Sequence, residues 1–476
     1  MRLIPNFKSV YVQLVKLLKF AVAVHLKGGQ GGGMKTMNLV LRYGLCLVVG
    51  VLFVGFNNAQ GETLQDAIQQ MLKTNPDIRS TAYNKLAREQ EVVQARARYF
   101  PTLDVIGRTG FYNQDHPDAD SNWPKEATLS LRQNVFEGGA TLSEVQRQEA
   151  RVKSQAYLLQ GRSETTGLQA CKVYLGVLQS SDLYDLAKEN LLIHERIYDQ
   201  IKLRSEAGVD RRADLDQVMG RLALAQSNMV VTKANIEDAK TDYQNVIGTL
   251  PGDLVKPEPV DSAVPPTMEE AEQAAIKNYP ILKSAKADVE AREKQLETAK
   301  RVNFPKLDVA VDYDWQDDTQ AADPEKYQED LTAMAILSFN IFNGFKDKAR
   351  ISETRYLVNE AEEIMNGTQR QVVQSIRLSY EAYLAAQDRV KKLEEYVKAS
   401  KLTADAFTAQ WSIGRRTMFD VLDTQAEYIN AKTDLVKAQY EKKYAEYRVL
   451  TGMGVLTKTM GLQWPAESQV AENSRK

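Results

Sequence analysis

The chain has 476 residues, 43% apolar and 26% charged, with a mean hydropathy of −0.41, which excludes both a disordered chain and a polytopic helical membrane protein. Its two cysteines, Cys46 and Cys171, and three histidines, His25, His116 and His194, are scattered, so disulfide frameworks, zinc ribbons and His-rich metal sites cannot be the basis of the fold. The net charge of −2 hides seven basic and no acidic residues in 1–59; the remainder holds 54 basic against 63 acidic residues and has no electrostatic case for nucleic acid.

Residues 1–33 have no signal-peptide logic and read as an over-long start, with Met1, Met34 and Met37 as candidate initiators. The GGQGGG at 28–33 follows no predicted strand and opens no helix, so it is not a phosphate loop. Residues 34–59 have the basic start (Lys35, Arg42), apolar run (Leu45 to Phe56) and small-residue end of a secretory signal, and the run is short for a membrane span. Cys46 lacks the small preceding residue that lipid attachment needs. The working chain is expected to be exported and to begin near residue 60.

From there one pattern is written twice. Thr63, Pro76, Ala87-Arg88-Glu89 and Leu103-Asp104-Val105 recur 204 residues later as Thr267, Pro280, Ala291-Arg292-Glu293 and Leu307-Asp308-Val309. The offset then drifts to 206, pairing Asn134-Val135-Phe136 with Asn340-Ile341-Phe342, Tyr174 with Tyr380, Gly208 with Gly414, and Asp214 with Asp420. The repeats are 60–250 and 267–455, the proline-rich 251–266 is their linker, and 456–476 is a C-terminal tail.

Each repeat opens on a helix with a threonine N-cap (Thr63, Thr267) followed three residues on by an acid, and a proline interrupts that helix. Hairpins follow at 101–136 and 305–342. Leu307, Val309, Val311, Tyr313 and Trp315 alternate with Asp308, Ala310, Asp312, Asp314 and Gln316, a period of two that puts one face in oil and one in water. Leu331, Ala333, Ala335, Leu337, Phe339 and Ile341 continue the pattern in the partner strand. Aromatics flank the strands as interfacial girdles do: Tyr99, Phe100, Phe136, Phe304, Phe342 and Phe345 on the helix side, Tyr112, Trp123, Tyr313, Trp315 and Tyr327 on the loop side. Four strands of about ten residues match the length of a membrane-crossing strand but cannot close a barrel alone.

Helical hairpins follow at 138–249 and 344–451. Gly138 to Ala207 and Gly344 to Ile413 contain no proline and can each run ~105 Å, about the width of a periplasm. In the last return segment Leu422, Ile429, Val436 and Leu450 fall at seven-residue steps, with Lys443 breaking the register, which places the seam on a neighbouring helix.

Over residues 63 to 455 the chain resembles the TolC family of trimeric outer-membrane ducts. The resemblance rests on the duplication, the two Phe-Pro-x-Leu-Asp-Val strand entries, the NVFEGG and NIFNGF strand-to-helix turns, and the tips. It implies a mainly α fold with a transmembrane β part. Duplicated long coiled-coil helical hairpins would form a periplasmic α-barrel, and four strands per protomer would contribute to a trimeric 12-stranded outer-membrane β-barrel.

Asp420 and Asp423 lie three apart on one helical face, so three chains around an axis would present six carboxylates. At ~6 Å and an effective dielectric near 20, each like-charge pair costs about 3 kcal/mol, and such a ring attracts cations. Gly414-Arg-Arg-Thr-Met-Phe-Asp-Val-Leu-Asp423 is similar to the family's entrance motif, in which the two aspartates line the constriction. The resemblance also puts Arg416, Trp411 and Asp214 at positions whose links hold the entrance shut. Trp411 stands here for a tyrosine and Ala213 for a threonine, and an Arg416 to Asp214 ion pair is physically reasonable.

The implied function is a passive exit duct for protein by type I secretion, without cofactor. Its partners would be two sister copies, outer-membrane lipid, a periplasmic adaptor and an inner-membrane ABC or RND transporter. The outlet of a small-molecule efflux pump is the alternative, and a soluble periplasmic coiled-coil adaptor is the alternative of another class. An enzyme lacks parts: there is no clustered His, nucleophile elbow or phosphate loop.

Overall fold

The computed structural model describes residues 61–114, 120–209, 211–317 and 328–470. The leader segments 1–33 and 34–59, Cys46, His116, Tyr327 and residues 471–476 lie outside the described residues. The first repeat runs α1 (Leu64–Thr74), α2 (Pro76–Ala97), β1 (Thr102–Thr109), β2 (Tyr112–Gln114), β3 (Asp120–Asn122), β4 (Lys125–Phe136), α3 (Ala140–Glu206) and α4 (Arg212–Ile247). The second runs α5 (Met268–Asn278), α6 (Pro280–Arg301), β5 (Lys306–Asp317), β6 (Gln328–Ser338), α7 (Lys346–Ser412) and α8 (Met418–Gly452), followed by the short α9 (Leu456–Thr459).

Both threonine caps form. Thr63 and Asp66 exchange bonds in a capping box, while Thr267 accepts from the Glu270 amide alone. Pro76 and Pro280 occupy the first position of α2 and α6, where the missing N–H would have had no partner.

The long helices α3 and α7 have 67 residues each, about 100 Å of helix. Their N-terminal halves pack with α2 and α6, and their C-terminal halves with the return helices α4 and α8, so α3 and α7 run through two successive four-helix layers. At the waist between the layers lies the main core, where Tyr174, Leu175, Leu178, Ile376, Tyr380, Tyr447 and Leu450 meet α1 and α5. The heptad positions Leu422, Ile429 and Leu450 are buried, and the register-breaking Lys443 instead donates to the Pro257 carbonyl of the linker.

The four long strands form one antiparallel sheet in the order β1-β4-β5-β6. Register aligns like with like: Leu103, Leu131, Val311 and Ala333 form one row, as do Val105, Leu129, Tyr313 and Leu331. The opposite face carries Asp104, Ser130, Asp312 and Thr332 in a row, knitted by a Ser130–Asp312 hydrogen bond, Thr128 to Asp314 at 2.6 Å and Asn134 to Asp308 at 2.8 Å. The apolar face is bare, with Leu103 63%, Val105 76%, Leu331 73% and Leu337 70% exposed, and among the described residues β1 and β6 each leave one edge unpaired.

One sequence expectation is adjusted. The alternation that includes Phe339 and Ile341 outruns the paired strand: β6 ends at Ser338, because its partner β5 begins at Lys306 opposite it. Between β1 and β4, β2 and β3 pair as a small two-stranded ribbon.

The strand-to-helix turns are set by backbone conformation. Gly138 has φ +63°, and a Cβ there would come within 2.4 Å of the Phe304 Cβ, so the two halves meet over a position only glycine can fill. In the second repeat the N-cap of α7 is Phe345 at φ 64°, the one non-glycine residue with positive φ among the described residues, stacked edge-on against Phe342 at 5.2 Å.

Candidate functional site

Both hairpin tips turn in the same way. After α3 and α7 the chain passes through Gly208 (φ +74°) and Gly414 (φ +75°), and the next amides, Val209 and Arg415, return to the carbonyls of Arg204 and Gln410. This is a Schellman termination, which needs a left-handed residue and satisfies carbonyls the helix end leaves open. Asp214 and Asp420 then fall at equivalent positions, in the first turns of α4 and α8.

Asp420 is held locally. Its carboxylate accepts from the Thr417 hydroxyl at 2.9 Å and the Thr417 amide at 3.2 Å, and the Thr417 hydroxyl accepts from the Asp420 amide. The Thr417 bonds, with Arg416 nearby, hold the Asp420 carboxyl below the usual carboxylate range. Arg416 lies 3.9 Å from Asp420, donates to Gln410 Oε1 at 3.0 Å, and sits 4.0 Å over the ring of Phe407. Among the described residues Arg416 and Asp214 form no ion pair within one protomer, so the chain alone does not bring that part of the expected latch together.

Asp423 faces the other hairpin. Its Oδ1 accepts from Arg221 Nη2 of α4 at 3.0 Å. Trp411 is also engaged across the hairpins, with the Arg204 guanidinium 5.3 Å from its ring centroid. Beneath these contacts Ile201 and Val218 of the first hairpin pack with Met418, Val421 and Leu422 of the second, flanked by Leu215 and Trp411. Arg221 and Arg204 were not foreseen from sequence. The available signal was that Arg221 lies one heptad beyond Asp214 and so on the same stripe of α4.

Among the described residues no group of three or more His, Cys, Asp or Glu side chains could hold a metal ion, and no helix is long and apolar enough to cross a membrane. What the site offers is electrostatic and mechanical: first-turn carboxylates on two hairpin ends joined by a small apolar cluster and cationic contacts.

The family profile described as outer membrane efflux protein matches residues 67–249 and 272–455, one match on each repeat. The chain belongs to that family, whose members are outer-membrane channels. It is 24% identical over 423 residues to outer membrane efflux protein BepC of Brucella suis, covering 88% of this chain and 91% of BepC. It is also 24% identical over 436 residues to outer membrane protein TolC of Escherichia coli, covering 87% of this chain and 86% of TolC. Among solved structures, a CusC channel superposes with a TM-score of 0.73 at 13% identity, over 82% of this chain and 91% of that one. The protein is therefore an outer-membrane duct component of an export system, with helices reaching into the periplasm. This family membership sets aside the soluble coiled-coil adaptor.

Proposed function

We propose that three copies of this chain complete a 12-stranded barrel in the outer membrane and a hollow α-barrel in the periplasm. The assembly passively conducts cargo handed over by an inner-membrane ABC or RND transporter through a periplasmic adaptor. The observation that carries this reading is the sheet: four strands with one apolar and one polar face and, among the described residues, both outer edges unpaired and the apolar face bare. Such a sheet must either pair with other chains or aggregate, and lipid is the solvent that suits its bare face. The helical layer supports the same assembly, because its outermost helix α4 leaves Met219, Leu224, Val230 and Val231 exposed for a neighbour.

In this reading Asp420 and Asp423 of three chains line the constriction, and Arg416, Asp214 and Trp411 belong to its latch, with Arg416 exchanging part of its contacts to Gln410 and Asp420 for Asp214 of a neighbouring copy. Charge reversal at Arg416 then opens the resting entrance; cells carrying Arg416→Glu become more permeable to large antibiotics, and equal leakage in both strains contradicts the role. Protein export by type I secretion is favoured over small-molecule efflux by the Asp-x-x-Asp tip and by the absence of a lipid-attachment context at Cys46. A deletion strain distinguishes them. Loss of a secreted protein from the medium with unchanged drug tolerance supports secretion, and the reverse supports efflux.

A further inference from the structure

We propose that Arg221 is the positioning residue that keeps the second hairpin's tip shut against the first, and that it does so by clasping Asp423. The proposal rests on the tips being the duct's entrance and names a component of the latch on α4.

Helices α4 and α8 both lie on α3, and a cleft of about 420 Å³ separates them, floored by Leu186, Asn190 and His194. Arg221 reaches from α4 to Asp423 on α8 at 3.0 Å, and among the described residues it is the one polar tie between these two helices. It sits one turn beyond the apolar contact of Val218 with Val421 and Leu422, so the clasp and the cluster act on the same end of α8. Lower ties reach α3 rather than α4: Lys432 to Glu189 at 2.6 Å and Tyr440 to Asp182 at 2.8 Å. Freeing the tip of α8 from α4 therefore requires breaking Arg221–Asp423 and leaves those ties in place.

The pair also sets charge. While Arg221 holds Asp423, one of the two tip carboxylates is neutralised locally and Asp420 carries the constriction's exposed charge. Release of the clasp adds three more carboxylates to the ring as it widens. The side chains of Arg221 and Asp423 are 33% and 49% exposed, so a single pair is worth only about a two- to fivefold bias in an equilibrium. Three clasps that open together multiply that to roughly ten- to a hundredfold.

The test uses the full-length protein in planar bilayers. Arg221→Ala should raise resting conductance about ten- to a hundredfold and make the open channel more cation-selective, because Asp423 is freed. Asp423→Ala should raise resting conductance similarly but reduce selectivity. The exchange Arg221→Asp with Asp423→Arg should restore low conductance. A resting conductance for Arg221→Ala within twofold of wild type, or failure of the exchange to close the channel, overturns the proposal. If neither wild type nor variant conducts, the duct reading fails by itself, and amide hydrogen exchange still decides the clasp. Arg221→Ala should speed exchange in residues 418–424, and an unchanged rate there overturns the clasp.

Discussion

Tyr174 and Tyr380, equivalent positions of the two long helices, both turn their hydroxyls onto the proline-rich linker: Tyr174 donates to the Val255 carbonyl at 2.6 Å, and Tyr380 donates to the Pro265 carbonyl at 3.0 Å. The duplicated tyrosine thus binds the unduplicated linker between the repeats. The Glu62 carbonyl, 2.8 Å away, shares that one Tyr174 proton with Val255, and the Glu62 carboxylate accepts from the Gly252 amide at 2.9 Å and from Tyr243. Removing a buried hydroxyl strands its acceptors, so Tyr174→Phe should destabilise the waist by about 1–2 kcal/mol and Tyr380→Phe by about 0.5–1.5 kcal/mol. Limited proteolysis within 251–266 reads this out, with faster cleavage in Tyr174→Phe than in Tyr380→Phe.

Glu446 gives the same waist a pH dependence. It is 2% exposed on α8, beside Asp261 of the linker and within 3.5 Å of Lys442, with Lys443 and Tyr383 facing the group. Burial, and then Asp261, push its carboxyl up to about 8, while Asp261 is held below its ordinary value by the Glu446 bond and by Lys442. A carboxyl whose folded value lies above its unfolded one keeps its proton in the folded state. Its contribution therefore favours the fold at pH 4–5 and is lost progressively as pH rises from about 4.5 to 8. Glu446→Gln should melt close to wild type at pH 5 and higher than wild type at pH 8.5, by on the order of 1–2 °C, in differential scanning calorimetry. A lower melting temperature at pH 8.5 contradicts the assignment.

Replacing both Asp420 and Asp423 by alanine should leave assembly intact and reduce cation block and cation selectivity in single-channel recordings. Some of the effect of Asp420→Ala alone will be structural, because the same carboxylate is half of the Thr417 capping box. Thr417→Ala separates the two, since it should cost about 1 kcal/mol of local stability with the charge left in place. Unchanged block and selectivity in the double variant reject the constriction.

The two faces of the sheet should tolerate charge differently. Leu129→Arg places a cation in the exposed apolar row of β4 and should cost about 2–4 kcal/mol of assembly in lipid. Thr128→Arg, one residue along and on the polar face beside Asp314, should assemble normally. Recovery of folded, heat-modifiable protein from outer membranes compares them, and equal recovery contradicts the assigned faces.

Much of this was legible before the structure because it is written in short-range periods. The alternation from Leu307 to Trp315, the threonine caps, the proline-free stretches that became α3 and α7, and the glycines at both tips each follow from a local rule. The family profile's two matches fall on the two repeats. What escaped is carried by distance. Arg221 and Asp423 are 202 residues apart in sequence, and although the heptad step from Asp214 puts Arg221 on the right stripe of α4, it does not name Asp423 as the partner. Buried Glu164 accepts from the amides of Leu456 and Thr457 and from the Trp464 indole, so much of the segment set down as a tail is packed onto α3. The end of β6 was misjudged because the alternation of side chains continues where the hydrogen-bonding partner stops.

In the proposed trimer β1 of one copy meets β6 of the next. Single cysteine pairs placed across those edges, Val105→Cys with Leu331→Cys, Ala333→Cys or Ala335→Cys in turn, test it by non-reducing electrophoresis of oxidised outer membranes. At least one pair should give linked dimers and trimers and no larger species. Monomer alone for every pair, in protein recovered from the soluble fraction, would contradict it.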